Sequence, residues 1–353
     1  MGHRGVIVAA GTVAIVCCVS VFAPPKRYVV DGLSMAPGLL PGGVVETGWF
    51  PSLDRLRRPQ RHERWILTLP DGTSAIKRVV GLPGETISIE HGDLAIDGTT
   101  VLTPPSVLAE MASPVPEATI CLPQDDDADR RWQRTVSMSS VLDDAAFSPS
   151  ERRLLVPVRD VGLAAVIRVP TTPFPTKPVH VRVGVGGFIM SWRLKASGRY
   201  AVVAGRLDGH VVGVAWPIAG DNSQREQSRS LLPSQAPDAW DVAQSWSPAT
   251  ADAEDTGGPL PSLSLGITAA GVPVDRDAAD AMIEQVSVWR DIHHRPAADG
   301  VVEWRLGTDQ VFVLGDFPSG SRDSRHWGPL SRGLFRSRAA RVTQPTASSV
   351  KHF

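Results

Sequence analysis

The sequence predicts a mostly-β protein: a β core with one N-terminal transmembrane helix and a large β-rich inserted domain. Three observations carry this. Short β-branched runs stop at turn residues, as where Trp65-Ile66-Leu67-Thr68-Leu69 meets Pro70-Asp71-Gly72 and Ala75-Ile76-Lys77-Arg78-Val79-Val80 meets Gly81-Leu82-Pro83-Gly84. The stretch Gly5 to Ala23 has no charge, and as a helix it would reach about 28 Å, close to the ~30 Å hydrocarbon core of a bilayer. Between Arg153 and Ile218, strand-like runs recur, with Asp208-Gly209 between alternating apolar residues as a hairpin signal.

Composition bounds the function. The 353 residues suffice for two or three domains, and 42% hydrophobic content is ample for buried cores. A formal net charge of −1 gives no electrostatic reason to expect nucleic acid. Cys17 and Cys18 are adjacent in the apolar run and Cys121 is far away, which gives neither a disulfide framework nor zinc spacing. The nine histidines show no His-Glu-x-x-His spacing, and His293-His294 is merely adjacent, so neither metal nor cofactor is assigned.

From the N-terminus, Gly5 to Ala23 reads as an uncleaved anchor. The alternative is a leader cut at Ala23, but Pro24-Pro25 follows at once and proline beside a scissile bond is poorly cut. Arg4 lies on one side of the run and Lys26 and Arg27 on the other, so charge does not set the orientation. Ser34 follows about a dozen residues later, and at ~3.3 Å per residue the tether keeps it near the bilayer surface. Arg55, Arg57, Arg58, Arg61 and Arg64 form a basic linker, read either as a solvated loop or as a contact with anionic lipid. In the strand after it, alternation puts Ile76, Arg78 and Val80 on one face and Lys77 with Val79 on the other. Thr86 to Ile89 and Gly92 to Gly98 then hold two short alternating strands that read as a hairpin around His91-Gly92.

Residues 103–302 are long enough for a domain of their own. Their start is rich in proline and polar groups, with the run Asp125-Asp126-Asp127. Ala164 to Val169, His180 to Val185, Tyr200 to Arg206 and His210 to Trp216 read as an antiparallel sheet or sandwich. Asp221 to Leu265 is dominated by Ser, Pro, Gln and Asp and reads as a long, disordered loop; Val286 to Ile292 returns the chain to the core. Seven of the ten tryptophans fall in the insert or at its edge, and they read better as core than as an exposed stacking surface.

The chemistry rests on three stretches. Ser34, in Asp31-Gly32-Leu33-Ser34-Met35-Ala36-Pro37, sits on irregular backbone that leaves a hydroxyl exposed. A serine needs a base within hydrogen-bond reach, and no histidine is near it in sequence. Lys77 on a packed face loses solvent, which favours the neutral amine and brings its pKa down from about 10.4; a lysine whose ammonium snorkels to water is the plainer reading. The third stretch, Gly315-Asp316-Phe317-Pro318-Ser319-Gly320-Ser321-Arg322-Asp323-Ser324-Arg325-His326-Trp327-Gly328, is dense in hydroxyls and paired charges.

In this order, the Ser-Met-x-Pro, Lys-Arg-Val-Val-Gly-x-Pro-Gly and Gly-Asp…Ser-x-Asp-Ser-Arg-x-Trp-Gly boxes resemble those of type I signal peptidases, serine endopeptidases that remove signal peptides from exported proteins. The resemblance implies Ser34 as nucleophile, Lys77 as general base and the Ser34 backbone N–H as an oxyanion donor. It implies that Ser321 orients the lysine and that Arg78, Asp316, Asp323 and Arg325 hold the third box in place. It also implies signal peptides of secretory preproteins as substrates, and a single-pass protein of the cell membrane with its catalytic part on the extracytoplasmic side.

The sequence departs from the family at several points. Gly32 stands where some members have a serine donor to the oxyanion, and Gly38 where a threonine is expected. Arg61-His62-Glu63 replaces an Arg-Gly-Asp turn, and Phe317-Pro318-Ser319-Gly320 replaces an Asn-Arg-Asp-Asn-type run. The expected organisation is an anchor at 1–27, a catalytic core at 28–102 and 303–345, the insert at 103–302 with its 221–265 loop, and a tail at 346–353. Two other functions fit parts of the pattern: a catalytically inactive, membrane-tethered binding module, and a Ser/Lys protease of the self-cleaving repressor type.

Overall fold

The computed structural model describes residues 24–48, 54, 56–121, 133–138, 140–143, 156–170, 178–195, 197–218, 236–245, 260–269, 272–274, 276–296 and 300–344. The apolar run Gly5–Ala23, Asp125-Asp126-Asp127, Trp132, Trp246 and the tail lie outside these residues. Among the described residues no helix is long and apolar enough to cross a membrane. The protein is mostly β. Its chain divides into two compact units, residues 1–90, 95–99 and 295–353 and residues 91–94 and 100–294.

The first unit is built on a sheet of seven strands, every neighbouring pair antiparallel. In spatial order they are Arg27–Val29, Val44–Thr47, Phe335–Thr343, Arg64–Thr68, Ser74–Gly81, Gln310–Leu314 and Leu330–Ser331. Alternation along Arg64–Thr68 explains why the sheet is covered on both faces. Trp65 and Leu67 join Val79, Val311, Val313, Leu330 and Phe335 in one apolar cluster. Ile66 points the other way, into Val30, Met35, Leu39 and Val45. Trp65 also meets Phe335 edge-on, with ring centroids 5.8 Å apart.

The second unit has two antiparallel sheets facing each other across one core. One runs Phe188–Leu194, Val179–Val185, Leu263–Ala269, Gln133–Ser137 and Thr119–Cys121, with Val272–Pro273 beside Leu263–Ala269. The other runs Asp241–Ser245, His210–Ile218, Gly198–Leu207, Val161–Val169, Ile283–Arg290 and Ser113–Pro114. Val179, Val181, Val183 and Val185 from the first pack with Leu163, Ala165, Ile167, Val202 and Ala204 from the second. This is the period-2 pattern of a strand with one buried face. The back of the second sheet buries Trp216 and Trp289 and is joined by Leu108 of the helix Pro105–Met111.

The expected hairpin at Asp208-Gly209 is present: Leu207 pairs with His210, and Asp208 and Gly209 take φ of 48° and 74°. Positive φ at both central residues is the twist-matched geometry of a two-residue hairpin. The span 221–265, read as a loop, contains the strand Asp241–Ser245, which pairs with His210–Gly213, and the start of the strand Leu263–Ala269. Polar composition disfavours a strand locally, and pairing with an existing edge overrides it.

Candidate functional site

Gly32 to Leu40 is an irregular turn pinned by its apolar residues. Met35 and Leu39 are buried under the sheet with Val30 and Val45, and this leaves Ser34 half-buried at the edge of the plug. The Ser34 carbonyl accepts a hydrogen bond of 3.1 Å from the Phe317 N–H, which ties the serine turn to the third box. Gly32 is exposed, a Cβ there would meet open space, and the glycine itself offers the turn no side-chain donor.

Lys77 lies in the strand Ser74–Gly81 directly opposite Trp65, on the face of Val79. It is 4% exposed. Burial drives its pKa down from the ordinary 10.5 to about 8; Asp323 and Asp316 oppose the fall and Arg325 assists it. The two acids do not hold the lysine proton because each is already engaged. Arg78 donates to both oxygens of Asp316, from Nε at 2.8 Å and Nη2 at 2.7 Å. Arg325 donates to both oxygens of Asp323, from Nε at 2.8 Å and Nη2 at 2.8 Å. Two acids and two arginines cancel, so a neutral Lys77 leaves the buried group balanced and a protonated one leaves it with a net positive charge.

These pairs also build the third box. Asp323 Oδ2 accepts from the Gly315 N–H at 3.0 Å, and its other oxygen caps the short helix Ser324–Trp327 through the Arg325 N–H at 3.3 Å. Burial works against the charge on Asp323, and the Arg325 and Gly315 hydrogen bonds outweigh it, so its pKa falls below the ordinary value. Ser324 Oγ accepts from the Val313 N–H at 3.0 Å. Arg325 Nη2 reaches the Pro318 carbonyl at 2.9 Å, which fixes the loop where the sequence departs from the family run.

The register joins the lysine strand to this box: Arg78 faces Leu314, so Lys77 and Gly315 come next on their two chains. A Cβ on Gly315 would stand 2.2 Å from Ser321 Oγ and 2.4 Å from the Ser34 carbonyl oxygen. The bare Cα of Gly315, one step past the Arg78–Leu314 pair, is therefore where Ser34 and Ser321 converge. No direct hydrogen bond links the Ser34 hydroxyl to the Lys77 amine among the described residues, and in substrate-free enzymes such bonds are commonly loose.

Sequence reasoning passed over Gly315, although a glycine closing an apolar strand before an acid signals close backbone approach. It also missed how the drifted turn works. His62 takes φ of 69°, the left-handed conformation for which glycine is favoured, and its carbonyl accepts from Arg78 Nη1 at 2.9 Å. Arg61 of the basic linker pairs with Glu85 at 2.7 Å rather than pointing freely outward.

Asp93, Asp160 and Asp208 in the second unit place carboxylate oxygens within 4.8 Å of one another. Burial, then repulsion among these acids and Asp291, raises Asp93 and Asp208 well above the ordinary carboxylate range. Asp160 and Asp208 also accept the Asp208 and Thr103 N–H groups at 2.8 and 2.7 Å. These acids come from a strand start, a loop and a hairpin turn far apart in sequence, and nothing in their spacing announced them.

Residues 3–147 match the family described as Signal peptidase, peptidase S26. The resemblance to type I signal peptidases therefore stands. The match spans the serine and lysine boxes, runs past Thr103 into the first part of the 103–302 stretch read as an insert, and ends before the third box. A curated relative, Signal peptidase I V of Bacillus subtilis (strain 168), is 34% identical over 96 residues, which is 27% of this chain and 56% of the relative. The chain thus spans about half the length of the curated relative it matches.

Proposed function

We propose that this protein is a membrane-anchored serine endopeptidase that removes signal peptides from exported preproteins, with Ser34 as nucleophile and Lys77 as general base. The observation that carries this reading is the buried Lys77 amine, brought down to about 8 beside two carboxylates already neutralised by Arg78 and Arg325. An amine near 8 is substantially neutral at mildly alkaline pH, takes the Ser34 proton during attack, and returns it to the leaving amine. The acyl-enzyme forms on Ser34 Oγ and water hydrolyses it with the same base. The Ser34 N–H supplies the oxyanion donor, with no side-chain donor at Gly32. Ser321 orients the Lys77 amine, and the Arg78–Asp316 and Asp323–Arg325 pairs hold the third box against the lysine strand.

In this reading the insert at 103–302 is an appended β domain that contributes no catalytic group. Detergent-solubilised protein should cut a preprotein at the end of its signal peptide, and Ser34→Ala should abolish the cut while the circular dichroism spectrum is kept. Binding of the preprotein without cleavage by the parent favours the inactive binding module instead. Cleavage confined to the protein's own chain favours the self-cleaving type.

The anchor in this proposal is Gly5–Ala23, with the catalytic unit outside the cytoplasm. Carbonate washing should leave the full-length chain in the membrane pellet with its N-terminus upstream of Pro24. A soluble form starting at Pro24 or later contradicts anchoring.

A further inference from the structure

The turn that carries Ser34 is held at its two ends by unlike means. Its first half is fixed by burial: Met35 and Ala36 are each 1% exposed, and the Leu39 N–H closes onto the Met35 carbonyl at 2.9 Å. Its second half, Pro37 to Leu40, shares that burial only through Leu39, at 0% exposure, and contains Gly38, which has no side chain to brace its own turn and the most backbone freedom to lose. Gln344, the residue after the last strand Phe335–Thr343, lies across this half. Its Nε2 donates to the Gly38 carbonyl, and its Oε1 accepts from the Leu40 N–H at 3.3 Å. One primary amide therefore satisfies two backbone groups on either side of Leu39, more than 300 residues away in sequence.

We infer that Gln344 is a positioning residue for Ser34: its amide locks the Gly38–Leu40 backbone and so fixes the direction in which the serine turn leaves the core. The inference rests on the peptidase reading above. The site departs from its family pattern at Gly38, and the Gln344 amide, just past the end of a distant strand, supplies the constraint that this glycine lacks. A neutral side chain with one donor and one acceptor suits the task, since a carboxylate would set its oxygen against the Gly38 carbonyl.

Two measurements on the full chain test this, one of them independent of activity. Hydrogen exchange followed by mass spectrometry should show the 34–43 segment opening in Gln344→Ala while the strands Arg27–Val29 and Val44–Thr47 keep their protection. Kinetics on a preprotein should show kcat falling by about tenfold or more with KM nearly unchanged, because a displaced nucleophile costs rate and not substrate binding. Gln344→Glu, which keeps the acceptor and loses the donor, should fall at least as far. A purely structural role predicts instead a loss of rate that follows the loss of thermal stability. The inference is overturned if exchange in 34–43 is unchanged in Gln344→Ala, or if that variant keeps kcat within about twofold of the parent. A parent without turnover overturns the peptidase reading, and the exchange experiment then still decides whether the amide holds the turn.

Discussion

Lys77→Met should abolish cleavage and at the same time make the protein more stable at neutral pH. Methionine fills most of the lysine volume and accepts no proton, so the loss of turnover follows from the missing base. The gain in stability follows from the same burial that tunes the amine. A folded-state pKa of about 8 against an ordinary 10.5 means that the folded protein disfavours the charged form. The gap of about 2.5 pH units corresponds to about 3 kcal/mol of destabilisation, present in full below pH 8. Between pH 8 and 10.5 the unfolded chain binds more protons than the folded one, so parent stability should rise with pH across that window and level off above it. Lys77→Met should lack this slope and start from the higher level. Denaturant unfolding of both proteins at several pH values checks it; a variant less stable than the parent at pH 7, with the same pH slope, contradicts the burial argument.

Gly315→Ala should cut turnover by about a hundredfold or more, because a small displacement of reacting groups is that costly. The added Cβ would overlap Ser321 Oγ at 2.2 Å and the Ser34 carbonyl oxygen at 2.4 Å. Rotation moves the Ser321 hydroxyl away but not its Cβ, which would stand 2.6 Å off, and the Ser34 carbonyl is backbone held by the Phe317 N–H, so the Ser34 turn or the Ser321 backbone must shift. Overpacking of this kind costs about 1–3 kcal/mol, which a stable fold survives. Gly187→Ala, where a Cβ meets open space, serves as the control and should keep the parent rate. Retention of the parent kcat in a folded Gly315→Ala protein shows that Ser34 and Ser321 need not converge there.

The sequence announced the parts of this architecture that repeat with period 2 or need a particular turn. Trp65, Ile66 and Leu67 divide between two cores as alternation requires, and Asp208-Gly209 makes the hairpin its residue types favour. The candidate site residues could be picked out because they sit in local motifs: Ser34 on an irregular turn, Lys77 in an apolar strand, and Asp316, Asp323 and Arg325 in one loop. Their pairing was not legible. That Arg78 takes Asp316 depends on strand register, which sets residues 238 positions apart at hydrogen-bond distance, and this leaves Asp323 to Arg325, two positions on in the same loop. The Gln344 amide, the Asp93–Asp160–Asp208 group and the strand Asp241–Ser245 were hidden for the same reason: each exists only once distant strands are side by side.

The central claim is that a neutral, buried Lys77 activates Ser34, and the pH dependence of kcat/KM tests it most directly, since that parameter reports ionisations of the free enzyme. Ser34-dependent cleavage of a preprotein should be followed from about pH 6 to about pH 10. On the acid side the rate should climb about tenfold per pH unit, with a midpoint near the Lys77 value of about 8, and then level off. A rate that is flat across this range, or that rises with the same midpoint in a folded Lys77→Met protein, contradicts the account.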